Sequence, residues 1–145
     1  MQKSLEAAEI LTAEGVQCEV IDLRTIMPLD IDSIVESVRK THRLLVVDEA
    51  WAMCGMGAEI AQAMNELAFD DLDAPAGRIH TAPTSHPFAP VLERAMLVDS
   101  GQIVVGVRGI IAGKAPVPDH WYAGGRRTRG EQAPASNPAA IAAPA

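Results

Sequence analysis

The segment AFDDLDAP places three carboxylates, Asp70, Asp71 and Asp73, in four positions, with apolar Phe69 and Leu72 between and before them. Acids so grouped can bind a divalent cation, but the segment lacks the glycine and the distal glutamate of a calcium loop. An Arg- and Lys-rich partner suits them better, although a charge run taken alone reads as plain solvated surface. Asp48 and Glu49 close the apolar run RLLVVD. The carboxyl end of such a strand is where open α/β sheets place ligand-contacting groups, so Glu49, the more interesting of the two, is a candidate for a site or an interface. A solvated or salt-bridged strand end fits it equally well. Gly55-Met56-Gly57 follows, between strand and helix, where backbone N–H groups can receive a phosphate. It lacks the third glycine of the dinucleotide fingerprint, and such turns recur wherever a strand bends sharply into a helix; the structural reading is preferred. His86, in PTSHPFAP, stands in a loop stiff enough to present it. No Ser, Cys or Asp motif supplies a catalytic partner, so a structural role is preferred there too, while His42, His80 and His120 have no partner at informative spacing.

The elements that must hold these residues follow from periodicity. Leu5, Ala8 and Leu11 recur at helical spacing between Lys3 and Glu14, with Gly15 at the C-cap position. VQCEVIDL, from Val16 to Leu23, is β-branched and short, which predicts a strand. Asp30 caps a helix with Ile31, Ile34, Val35 and Val38 on its inner face. Arg43 to Asp48 is nearly continuous in apolar residues, as in a central or near-central strand covered on both faces. A helix with Ile60, Met64 and Leu67 on one side spans Ala58 to Ala68, and a short strand surrounds Arg78 to Thr81. Pro83 to Pro90 is too proline-rich for regular structure. Ser100 caps a last helix that turns Ile103, Val104, Val107, Ile110 and Ile111 inward. Strands alternating with amphipathic helices define an α/β class: a three-layer α/β/α domain with a mostly parallel sheet, over residues 1–114. Residues 115–145, rich in Pro, Ala and Arg, read as a flexible tail in which Arg126, Arg127 and Arg129 are solvated.

The 145 residues are 48% hydrophobic and carry a net charge of −7, with mean hydropathy +0.10 and an isoelectric point near 5.0. An acidic chain without a basic stripe is not a nucleic-acid binder. Cys18 and Cys54 are isolated, with no His at ligand spacing, so neither a disulfide framework nor a zinc site is expected. With no membrane-length apolar run and no signal-like start, a cytoplasmic location is expected, or an organelle matrix if a targeting segment lies outside this chain.

Laid end to end, SLEAAEIL, GVQCEVIDLRTIMPLD, SVRKTHRLLVVDEAW, GMGAEIAQ, AFDDLDAP and HPFAPVLE resemble the beta subunit of pyruvate, branched-chain 2-oxo acid and acetoin dehydrogenases. The resemblance covers residues 3 to about 112 and is of the transketolase C-terminal domain type. It implies membership of an enzyme that oxidatively decarboxylates a 2-oxo acid and passes the acyl group to lipoamide. It also implies that thiamine diphosphate is held by the full enzyme, between the alpha subunit and another domain of the beta subunit, and that this chain has no catalytic residue and is inactive by itself. The implied partners are an alpha subunit and a second beta subunit, in a heterotetramer, and the peripheral subunit-binding domain of the acyltransferase core. Asp73 matches a family aspartate that pairs with a basic side chain of that domain, which raises the docking reading of Asp70, Asp71 and Asp73; Glu49, Gly55, Gly57 and His86 become possible interface residues. A free-standing, non-catalytic module that binds the same core is the alternative. An unrelated nucleotide-binding domain would rest on the Gly-x-Gly turn alone. The family also has a strand of the type TIV upstream, in mid-sheet, and this chain begins at the helix after it. The expected sheet therefore lacks its central strand, and its neighbours' backbone groups lose their partners.

Overall fold

A computed structural model describes residues 1–114 and 116. Its elements are helix α1 (Gln2–Ala13), helix α2 (Ile31–Thr41), strand β1 (Leu45–Asp48), helix α3 (Met56–Leu67), a 3-10 turn (Phe69–Asp71), strand β2 (Gly77–His80), helix α4 (Pro90–Met96) and helix α5 (Ser100–Ile111). β1 and β2 pair in parallel, with Leu45 opposite Gly77 and Asp48 opposite His80.

Side chains that alternate across β1 feed two separate cores. Val46 joins Ile34, Val35, Val38, Ile60, Met64 and Ala68 beneath α2 and α3. Leu45 and Val47 pack from the other face against Ala7, Leu11, Val98, Ile103 and Val104 beneath α1 and α5. Two helical layers around a parallel pair make the α/β/α sandwich that the periodicity predicts.

α2 forms as its sequence dictates. The Asp30 carboxylate accepts from the Ser33 amide at 3.2 Å and from its hydroxyl at 2.7 Å. The helix buries Ile34, Val35 and Val38 and ends on Arg39 and Lys40, which suit the negative end of its dipole.

Elsewhere the sequence reading needs correction. α1 buries Ala7 and Leu11, while Leu5 is 50% exposed, because α5 meets the helix on the face that Ala7 occupies. Leu67 and Ile111 are likewise exposed at helix ends, where the last turn overhangs its layer. The cap of α5 is Asp99 rather than Ser100: Asp99 accepts from the Gln102 amide, and Gln102 reciprocates in a capping box. Val16 to Ile21 alternates half-buried and exposed positions as a strand does, and the alternation slips at Asp22 and Leu23, yet the segment belongs to no ladder. A strand exists only with a neighbour, and the space beside this one lies open. α4 was not anticipated, because Pro90 serves as its first-turn proline rather than as the end of a loop. The tail assignment, with His120 and the three arginines, falls outside the described residues.

Candidate functional site

The acidic loop is fastened to the turn between α2 and β1. His42, the C-cap of α2, adopts a left-handed conformation with φ 58°. Its carbonyl accepts from the Asp73 amide at 3.0 Å. Its Nδ1 lies 2.8 Å from the Asp71 carbonyl; a carbonyl only accepts, so Nδ1 carries the proton. Leu72 turns inward onto the α2–α3 core, which drives the flanking carboxylates outward. Arg39 meets Asp71 at 3.3 Å and Arg43 meets Asp73 at 3.5 Å. Both pairs are largely solvated, with the Asp73 side chain 61% exposed. Asp70 is exposed and joins no ion pair among the described residues. The sequence reading missed both arginines. Their spacing of four, set against acids two apart, was the available signal.

The carboxyl end of the sheet is organised around Asp48. One carboxylate oxygen accepts from the Ala50 amide at 2.9 Å and the other from the Gly57 amide, in the first turn of α3, at 3.3 Å. The place where a phosphate would meet the helix N-terminus is thus filled by the protein's own anion. The glycines are there for space. A Cβ on Gly55 would lie 2.3 Å from the Trp51 carbonyl oxygen, and one on Gly57 would lie 2.7 Å from His80 Cε1. The His80 side chain is 1% exposed, with Nδ1 3.9 Å from Asp48. Gly57 is buried, so it supports this end of the sheet and presents nothing outward. The Glu49 side chain is exposed, while its carbonyl accepts from the buried Thr81 hydroxyl at 3.1 Å. His86 contacts Glu93 of α4 at 2.9 Å, which ties the proline-rich loop to the next helix. The loops leaving both strands expose large apolar side chains: Trp51 is 53% exposed, Met53 57% and Phe88 fully.

These arrangements do not fit a diphosphate cofactor. The glycine turn is self-occupied, and no group of three His, Cys, Asp or Glu side chains among the described residues is placed to hold a metal ion. No helix among them is long and apolar enough to cross a membrane.

A parallel pair between two helical layers, with glycine-tight packing at its carboxyl end, agrees with what comparison with known proteins finds. Residues 1–103 match the transketolase C-terminal domain, and the chain belongs to that family. Among individual proteins, it is similar to the pyruvate dehydrogenase E1 component subunit beta, mitochondrial, of Dictyostelium discoideum. The two are 52% identical over 100 residues, covering 69% of this chain and 28% of that one. The Rickettsia felis E1 beta subunit is 44% identical over 107 residues, 74% of this chain and 33% of its own length. The Mus musculus mitochondrial subunit is 47% identical over 105 residues, 72% of this chain and 29% of its own. The chain thus spans about a third or less of each relative.

Proposed function

We infer that this chain is the C-terminal assembly and docking domain of the beta subunit of a thiamine-diphosphate-dependent 2-oxo acid dehydrogenase of the pyruvate type. The enzyme decarboxylates the 2-oxo acid oxidatively and hands the acyl group to lipoamide. The cofactor and the catalytic groups belong to the full enzyme. The observation that carries this reading is the 52% identity to a pyruvate dehydrogenase beta subunit, joined to a domain whose glycine turn leaves no room for a phosphate.

Within that enzyme, Asp70, Asp71 and Asp73 form the docking patch for the basic peripheral subunit-binding domain of the acyltransferase core. Arg39 and Arg43 supply a provisional neutralisation. Exposed pairs of this kind contribute about 0–1 kcal/mol, so a basic partner displaces them at little cost while retaining the backbone-anchored loop geometry. The loops carrying Glu49, Gly55 and His86, with the exposed Trp51 and Phe88, make the contact with the alpha subunit and the second beta subunit.

Calorimetric titration of the chain with the peripheral subunit-binding domain tests the docking assignment. Asp73→Ala is expected to weaken binding about tenfold, or ~1.4 kcal/mol, with the thermal midpoint little changed. Unaltered affinity would remove the acidic loop from the reading.

A further inference from the structure

The chain has two phenylalanines, and neither enters a core cluster. Phe88 stands on the loop before α4, whereas Phe69 opens the 3-10 turn that carries the acidic loop. The backbone on both sides of Phe69 is held inward. Ala68 is 3% exposed, with its amide on the Met64 carbonyl at 2.9 Å, and Leu72 packs on the α2–α3 core. The Asp71 and Leu72 amides donate back to the Ala68 and Phe69 carbonyls at 3.1 and 3.2 Å, which closes the turn. The ring at position 69 is left outside, 65% exposed, and Leu67, two positions earlier, is 53% exposed.

A lone exposed apolar residue on a protein surface needs no explanation, but this pair stands in a setting that selects a partner. From Glu66 to Asp73 the chain carries four acids and no basic residue. Glu66, Asp70 and Asp73 are exposed, and the ion pairs that Arg39 and Arg43 make with Asp71 and Asp73 are largely solvated. A second copy of this chain would bring the same acids, and an anionic membrane surface the same sign of charge, so both are repelled. The surface that fits has an apolar recess rimmed by guanidinium or ammonium groups. Even fully extended, the four steps from Phe69 to Asp73 span at most about 14 Å. The ~800 Å² that one partner contributes to a standard interface is about 30 Å across, so one interface covers the ring and the acids together.

We propose that Phe69, supported by Leu67, is the apolar anchor of this docking surface, and that its partner is a basic domain with an apolar recess between its cations. The proposal rests on the docking reading of Asp70, Asp71 and Asp73 and divides the work of binding between two kinds of group. The carboxylates act at a distance, so they speed the encounter and weaken as salt screens them. Phe69 acts only on contact, so it slows dissociation and is indifferent to salt. The closed turn holds the ring outward beforehand, which keeps the ordering cost of binding low.

The test measures association and dissociation of the 145-residue chain with the peripheral subunit-binding domain of a pyruvate dehydrogenase acyltransferase, at low and at physiological ionic strength. Phe69→Ala is expected to weaken binding at least about tenfold, chiefly through faster dissociation, with the salt dependence of the unaltered chain. Phe69→Leu keeps the apolar volume and should recover most of that loss. Asp73→Ala should act in the other way, slowing association and flattening the salt dependence. In the unaltered chain, binding should slow amide hydrogen exchange at residues 67–70, which decides the matter even if a variant fails to fold. Unchanged affinity in Phe69→Ala, a changed salt dependence there, no recovery in Phe69→Leu, or no protection at residues 67–70 overturns the proposal. If Asp73→Ala still weakens binding, the docking reading survives that failure. If neither variant alters binding, or the unaltered chain does not bind, the docking reading falls with it.

Discussion

The two edges of β1 have similar side-chain surroundings and different backbone surroundings. Toward β2 the register runs unbroken from Leu45–Gly77 to Asp48–His80, and the Gly77 amide extends the ladder to the Leu44 carbonyl at 2.9 Å. Toward residues 16–23, Val16, Cys18 and Leu23 still reach the two cores, but no ladder forms. Hydrophobic patterning therefore places a segment between layers without giving it a strand partner. Layering follows from which side chains avoid water, whereas pairing requires a second backbone at about 4.8 Å.

Four perturbations sharpen that contrast. Met64→Ala removes a side chain that is 0% exposed from the α2–α3 core and is expected to cost about 3–5 kcal/mol in denaturant unfolding, transfer and cavity contributions together. Cys18→Ala, in the segment without a ladder, should cost less than about 1 kcal/mol, because its side chain is only partly buried. Equal losses would mean that residues 16–23 are packed as tightly as the α2–α3 core. Proline substitution compares the edges directly. The Arg78 amide donates to the Pro116 carbonyl, so strand alternation turns the Ile79 amide toward β1. Ile79→Pro should then cost about 3 kcal/mol, and Val20→Pro less than about 1 kcal/mol, since no ladder bond is lost there. A large loss at Val20 would show that residues 16–23 are paired after all.

Asp99→Ala opens the capping box of α5 and should cost about 0.5–2 kcal/mol by thermal unfolding. The smallest effect is an acid-limb one. Hydrogen bonds from the Ser33 hydroxyl and amide hold the Asp30 carboxyl below the ordinary aspartate range. A depressed folded-state pKa gives stability that is full above the unfolded value of about 3.9 and is lost as pH falls through the lower folded value. Asp30→Asn keeps a capping side chain but cannot titrate. Its stability should fall less steeply below about pH 4 than that of the unaltered chain, and parallel acid limbs would rule out the cap as the cause.

What was legible in the sequence divides along the same line. α2 could be read outright because its cap, apolar stripe and terminal cations all lie within one segment. The two-sided burial of β1 was likewise visible in RLLVVD. What escaped depended on distant residues. Ala7 displaced Leu5 from the buried stripe because α5 arrives on that side, and Pro90 opens a helix because Met96 and the preceding loop are drawn onto the sheet end, with the Ala82 amide bonded to the Met96 carbonyl. At the candidate sites the acidic loop was visible from composition. Its restraint by Arg39, Arg43 and His42 was not, since those contacts span about thirty positions in sequence. Glu49 drew attention because it stands at the strand end, but its neighbour Asp48 is the carboxylate that organises the turn.

Asp48 behaves as a resident ligand. By filling the helix N-terminus with an anion of its own, the domain closes to nucleotides and phosphates a position that related α/β architectures leave open to them. One side chain thus caps the helix and joins the turn to the strand end at the same time.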